Sequence, residues 1–159
     1  MEDSRPATVA DVGRIAELAR AMQTELAALR GGALWRAREA RAEPLEDVYA
    51  ALLSDGDARV VVGTIDGVVL GFGVAIVERL RDGSALGVIT DLFVEEPARE
   101  VGVGEEIVDS LVAYCTDRGC VGVDALALPG HRATKNFFEG QHFTARALVM
   151  HRRLGPAGS

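Results

Sequence analysis

The sequence predicts an α+β fold, with helices packed on a mixed, mostly antiparallel central sheet. Three observations predict it. Helical-period apolar stripes precede a strand-rich middle. Two Asp-Gly turn signals, Asp66-Gly67 and Asp82-Gly83, join three apolar, β-branched runs. After Pro97 the pattern alternates helix, strand, helix, strand, which lets a strand add in parallel through a crossover.

The elements follow in order. Thr8 stands three residues before Asp11, a variant of the capping box, and opens a helix. Its stripe runs through Val12, Ile15, Ala16, Leu18, Ala19, Met22, Leu26 and Leu29 and stops at Gly31-Gly32. Pro44 opens a second helix, Leu45 to Leu53, closed by Asp55-Gly56. Strands are expected around Val60-Val61-Val62, from Val68 to Val77 and from Leu86 to Val94, the first three pairing antiparallel. Gly71 and Gly73 leave room for close backbone approach in the second. Ile107, Val108, Leu111, Val112 and Cys115 fall on one helical face, ended by Gly119 at the position after the helix. Cys120 to Leu128 reads as a strand, Pro129-Gly130 as a turn, Arg132 to Glu139 as a short helix and Phe143 to Leu154 as a final strand. The expectation is one domain over residues 1–154 with a frayed tail over 155–159.

Bulk properties narrow the function classes. The chain has 159 residues, 48% hydrophobic and 26% charged, enough for one globular core. A net charge of −7 without a basic patch argues against nucleic acid and suits a cationic amine. No apolar run approaches a membrane span, and the start Met1-Glu2-Asp3-Ser4 lacks the pattern of a secretory signal, so a cytoplasmic protein is expected. Cys115 and Cys120 are too few for a disulfide scaffold or a thiolate zinc site. His131, His142 and His151 lack the spacing of a metal motif, and no metal is expected.

The stretch Val94-Glu95-Glu96-Pro97-Ala98-Arg99-Glu100-Val101-Gly102-Val103-Gly104 lies between a strand and a helix. Free N–H groups at a helix start bind phosphate, and glycines let the phosphate approach. Gly102 and Gly104 are placed for this, while Arg99 adds charge or helps hold the loop. A Walker loop is excluded by Glu105-Glu106 after Gly104, and a dinucleotide fingerprint by Ile107 where a third glycine is required.

Arg99-x-x-Gly102-x-Gly104 matches the Q/R-x-x-G-x-G/A signature of the GNAT superfamily of acetyl-CoA-dependent N-acetyltransferases. The chain resembles that family further in Thr90-Asp91-Leu92-Phe93-Val94 before the loop, in Thr134-Lys135-Asn136-Phe137-Phe138-Glu139 near the end, and in its opening Arg5-Pro6-Ala7-Thr8 with Asp11-Val12. The resemblance implies a GNAT-like sheet with strands 4 and 5 splayed, and acetyl-CoA as acetyl donor to a small-molecule or peptide amine that attacks directly. It implies that Gly102, Val103 and Gly104, with Glu105 nearby, hold the pyrophosphate in a loop that includes Arg99, Glu100 and Val101. Leu92, Phe93 and Val94 would pair with the pantetheine arm, and Asn136 and Phe138 would border the cofactor. It also implies a homodimer.

The catalytic candidates are Asp91, beside the expected thioester, and Asp124, mid-strand in an apolar run. A lone acid in a buried strand needs partners. Trp35 lies where the family often borders its acceptor, with Glu25, Glu39 and Glu43 nearby. Three departures stand out: Phe138 where the family often has a tyrosine, His142 in place of a glycine and His131 in place of an asparagine. Phe138 favours the alternative function, a CoA-binding sensor or partner domain with little or no catalysis.

Overall fold

The computed structural model describes residues 1–128 and 132–155. One five-stranded sheet has the order β1-β2-β3-β4-β5: β1 (Glu2–Pro6), β2 (Ala58–Ile65), β3 (Val68–Arg79), β4 (Ala85–Val94) and β5 (Val123–Ala125). The first four pair antiparallel and β5 joins β4 in parallel, the mixed sheet expected of an α+β fold. Five helices flank it: α1 (Val12–Ala27), α2 (Gly32–Arg38), α3 (Leu45–Leu53), α4 (Val103–Asp117) and α5 (Arg132–Gly140).

Strand alternation divides the core in two. Val60, Val62, Phe72, Val74 and Phe93 face α1, α2 and α3. Val61, Ala75, Ile89 and Val94 face α4 and α5. The expected small residues in β3 let α4 lie close: a Cβ on Gly73 would stand 2.6 Å from Ile107 Cγ2. The Asp66-Gly67 hairpin has both residues at positive φ, 49° and 83°, as a two-residue hairpin turn requires.

The structure adds one strand that the sequence reading left unassigned, bears out one cap and corrects two readings. Glu2–Pro6 forms a strand that carries no apolar alternation, because it is an edge strand held by backbone pairing to Val61–Ile65. The expected capping box at Thr8 is present: Thr8 caps a short 3-10 turn, Val9–Asp11, whose Asp11 Oδ2 accepts the Thr8 N–H at 2.8 Å, and α1 follows from Val12. Gly31-Gly32 does not end the helical region but starts α2: Gly31 is left-handed at φ 80°. Finally, β5 covers only Val123–Ala125, and Phe143–Leu154 takes no regular secondary structure in the chain.

Cys115 and Cys120 are free thiols, and burial pushes the Cys115 thiol up to about 11. Among the described residues no helix is long and apolar enough to cross a membrane, and no group of three or more His, Cys, Asp or Glu could hold a metal ion.

Candidate functional site

β4 is the strand around which the site is built. Its pairing with β5 runs only from Gly87 to Ile89, opposite Val123 to Ala125. From Thr90 to Val94 the strand has no neighbour on that side among the described residues, so the sheet opens there. A bulge sits at this point: Val74 pairs Asp91 while Ala75 pairs Ile89, leaving Thr90 as the extra residue. Bulges re-aim side chains at such places. Here it leaves Thr90 exposed and sends Asp91 into the layer of α1 to α3.

The open edge leads to the amino end of α4. Gly102 caps that helix at φ 94°, a left-handed conformation open to glycine at little cost. The first intrahelical bond runs from Glu106 N–H to Gly102 O at 3.1 Å, so the N–H groups of Val103, Gly104 and Glu105 have no helical acceptor. Gly104 is buried, and a Cβ there would stand 3.3 Å from the Phe137 ring. Glu100, Val101 and Glu105 are exposed.

The loop between β4 and α4 is pinned to α1. Arg99 Nε donates to Val94 O at 2.8 Å, and its Nη2 meets both Glu25 oxygens at 2.9 and 3.0 Å. Its guanidinium lies 5.3 Å from the Phe93 ring centre. Arg14 adds an ion pair to Glu95 at 2.9 Å. Pairs this exposed contribute about 0–1 kcal/mol each, so their effect is to fix the loop's direction.

Asp91 is 4% exposed and carries a dense set of donors. Tyr49 donates its hydroxyl to Oδ2 at 2.6 Å. Arg41 reaches Oδ1 with Nη2 at 3.1 Å and with Nε at 3.2 Å. The Thr90 hydroxyl donates to Oδ1 at 2.7 Å and accepts from Arg41 Nη2 at 2.9 Å. Gln23 donates to the Arg41 carbonyl at 2.8 Å, which holds the loop carrying Arg41. Burial, then the charge of Asp91, pushes the Tyr49 phenol well above its ordinary value.

The other expected residues take separate places. Asp124 lies on β5 and pairs with Arg146, whose Nε is 2.7 Å from Oδ1; that guanidinium holds the Asp124 carboxyl below its usual range. Trp35 is buried on α2 in the same apolar cluster as Tyr49 and Phe93, which places it in the core and not open to an acceptor. Phe138 is likewise buried, edge-on to Phe137 and Phe143 at 5.5 and 5.1 Å. Asn136 is exposed on α5. Glu43 is engaged by Arg20 at 2.8 Å. His131 lies outside the described residues.

Arg41 and Tyr49 escape the sequence reading. Tyr49 gives a partial signal, because a phenol on the apolar stripe of a short helix needs a buried acceptor. Arg41 gives none, since its partner is set by how the loop before α3 crosses the sheet.

Among solved structures, the chain is similar to a putative acetyltransferase from Agrobacterium tumefaciens, at 18% identity and TM-score 0.73, covering 96% of this chain and 99% of that one. It is similar to glucosamine-6-phosphate N-acetyltransferase from Arabidopsis thaliana, at 20% identity and TM-score 0.70, covering 98% and 99%. It is also similar to an aminoglycoside acetyltransferase from an uncultured soil metagenomic sample in complex with sisomicin, at 17% identity and TM-score 0.71, covering 98% and 96%. These likenesses establish the fold. No curated protein matches the chain in sequence. The model of the Acetyltransferase (GNAT) family matches residues 22–143, which include the opened β4, the Arg99-to-Gly104 loop and α5, and the chain belongs to that family.

Proposed function

We propose that this chain is an N-acetyltransferase that moves the acetyl group of acetyl-CoA to a primary amine by direct attack. One observation carries the reading: the edge Thr90–Val94, unpaired on the β5 side among the described residues, leads through the loop of residues 95–101, with its 3-10 turn Glu96–Ala98, to the left-handed Gly102 at the amino end of α4. A pantetheine arm needs backbone partners along an open strand, and a pyrophosphate needs free N–H groups at a helix start. Both donor sets are present in sequence order. Acetyl-CoA brings an already activated thioester.

The work left to the chain is placement and proton removal. The amides of Val103, Gly104 and Glu105 receive the pyrophosphate, while Arg99, tied to Glu25 and Val94, keeps the loop in shape. Leu92, Phe93 and Val94 offer their free backbone edge. Thr90 is the exposed hydroxyl nearest Asp91, and the two make a short relay from the open edge to a buried carboxylate. Arg41 and Tyr49 are positioning residues that fix the Asp91 oxygens. Asp124, paired to Arg146, is left out of this scheme.

The test is a panel of amines, amino sugars and aminoglycosides included, scored by release of free CoA thiol. Binding of acetyl-CoA without thiol release on any amine would sink the catalytic reading. Thr90→Val keeps shape and removes the relay hydroxyl. It is expected to lower kcat by about 10-fold to 10²-fold, towards the usual scale of general acid–base catalysis, with the melting temperature falling by about 3–10 °C for the lost hydrogen bond to the Asp91 carboxylate. A wild-type kcat in Thr90→Val removes the relay.

Phe138→Tyr tests the family's tyrosine position. Its ring is packed between Phe137 and Phe143, so the new hydroxyl has to find a partner in an apolar cluster. An unmet buried hydroxyl costs about 1–3 kcal/mol. The expected result is a lower melting temperature, no gain in rate and no new alkaline limb. Faster thiol release at pH 7 would instead place this residue at the thioester sulfur.

A further inference from the structure

The corner between α4 and β5 holds the two cysteines of the chain. α4 ends in a complete Schellman motif. Gly119 is left-handed at φ 73°, its N–H donates to Thr116 O at 3.0 Å, and the Cys120 N–H reaches back to Cys115 O at 3.0 Å. That last bond fixes how far apart the two cysteines stand. With ordinary bond lengths on either side of it, their Cα atoms are held within about 7 Å, the limit beyond which a disulfide requires backbone movement. A Schellman motif also brings the side chains near these two positions together, usually as an apolar contact. Here the contact is thiol to thiol: Cys115 and Cys120 share a hydrogen bond, and both belong to the cluster between α4 and the sheet.

The two thiols differ in access. Cys115 is fully buried and Cys120 half-buried, so an oxidant from solvent meets Cys120 first. Burial, then the neighbouring Cys120 thiol, keeps the proton on Cys115, which shields it from direct attack because the thiolate is the reactive form. Contact with Cys120 offsets that small thiolate fraction by proximity.

The pair stands at the root of the shortest strand. Val121 N–H donates to Ala85 O at 2.8 Å and Gly87 N–H to Gly122 O at 2.9 Å, so the chain joins β4 directly after Cys120. Cys115 Sγ rests against Gly87 on β4, where a Cβ would stand 2.4 Å from the sulfur. Gly87 lies opposite Val123, the first residue of β5. A bond between the sulfurs therefore ties the end of α4 to the start of a three-residue strand, one wall of the opening beside Thr90–Val94.

We propose that Cys115 and Cys120 are a peroxide-sensitive pair that closes to an intrachain disulfide and clasps β5 to α4. The Cys120 thiolate attacks one oxygen of hydrogen peroxide. The O–O bond breaks, Cys120 becomes a sulfenic acid, and the departing hydroxide takes up the thiol proton as water. The Cys115 sulfur then attacks the Cys120 sulfur as its own proton leaves. The S–S bond forms, the S–O bond breaks and a second water departs. Two thiols are oxidised, one peroxide is reduced to two waters, and a thiol reductant reverses the change.

The experiment treats the reduced full chain with a few equivalents of hydrogen peroxide. Its intact mass should fall by about 2 Da, the two hydrogens lost to a disulfide, and dithiothreitol should restore both thiols. Peptide mapping should place the link between Cys115 and Cys120 of one chain. Hydrogen exchange at the amides of Val123–Ala125 should slow by about fivefold or more in the oxidised form. Cys120→Ser changes a half-buried position and should keep the far-UV spectrum. Its buried Cys115 should stay reduced under the same treatment, with β5 exchange at the rate of the reduced wild type. A folded wild type that stays reduced, gains oxygen or links two chains without the mass loss overturns the pair. So does oxidation of Cys115 in Cys120→Ser as fast as in the wild type, because Cys120 is then not the entry point. A disulfide that leaves β5 exchange unchanged overturns the clasp. None of these readings depends on acetyl transfer.

Discussion

Asp91→Asn is expected to lower kcat by about 10²-fold or more, while acetyl-CoA affinity stays within about twofold. The substitution keeps the shape of the side chain and one oxygen for the Tyr49 hydroxyl, now 2.6 Å from Oδ2. What it removes is the charge that faces Arg41 and the oxygen that accepts from Thr90, the group to which the proposed relay delivers its proton. Asp91→Ala goes further, since it leaves the Tyr49 phenol buried without an acceptor and Arg41 without its anion. Breaking a buried pair from one side costs about 3–5 kcal/mol. The Arg41 side chain is 22% exposed and can turn to water, so about 2–4 kcal/mol is the better expectation. For a domain of this length that is a fall of about 5–15 °C in melting temperature. The two variants differ in degree: Asn should lose rate and some stability, because it leaves Arg41 without its anion while still accepting from Tyr49, and Ala, which also leaves Tyr49 without an acceptor, should lose more stability. Wild-type turnover in Asp91→Asn would move proton removal to water and leave Asp91 a purely structural anion.

The elements that local pattern specifies were legible in the sequence. The two Asp-Gly turns, the α4 stripe from Ile107 to Cys115 and the glycine after it are encoded within a few residues, and each stands where expected. Elements defined by what lies across the fold were not. β1 has no apolar alternation, because an edge strand is specified by the backbone of β2 beside it. α2 was hidden by Gly31-Gly32, which reads as a stop. Yet Gly32 packs so closely that a Cβ would stand 1.8 Å from Leu26 O, so the glycine pair makes a corner and the helix resumes. Phe143–Leu154 has strand composition but takes no regular strand, since pairing requires an edge as well as a sequence.

The site divides in the same way. Gly102 and Asp91 could be picked out because each sits in a motif, a phosphate-type loop and the strand before it. Asp124 and Trp35 were chosen on position alone, and the fold gives them an ion pair and a core contact instead. The opening of the sheet was the deepest inference, because it depends on where β4 stops pairing β5. The β3–β4 bulge at Thr90 lies beside that point, and a bulge has no sequence signal stronger than a polar pair in an apolar run.

Gly102→Glu is expected to remove acetyl-CoA binding as a measurable stabilisation. A ligand that binds only the folded chain stabilises it by about 2.7 kcal/mol at 100 times its Kd, or about 5–10 °C in melting temperature here. Two effects act against it in the variant. The backbone at φ 94° strains any residue with a Cβ by about 1–2 kcal/mol, which lowers the unliganded melting temperature. A Cβ there has room, the nearest heavy atom being Glu2 Cγ at 3.7 Å, so overlap is not the cause. The added carboxylate then meets the pyrophosphate at the free N–H groups of Val103 and Gly104. If like charge weakens binding 100-fold, the same ligand concentration equals one Kd and yields about 0.4 kcal/mol, a shift of about 1 °C. Gly102→Ala carries the backbone strain without the charge. It should start from a similarly lowered melting temperature and keep most of the acetyl-CoA shift. Equal loss in both variants would assign the effect to the helix cap, and a full shift in Gly102→Glu would put the pyrophosphate somewhere other than the start of α4.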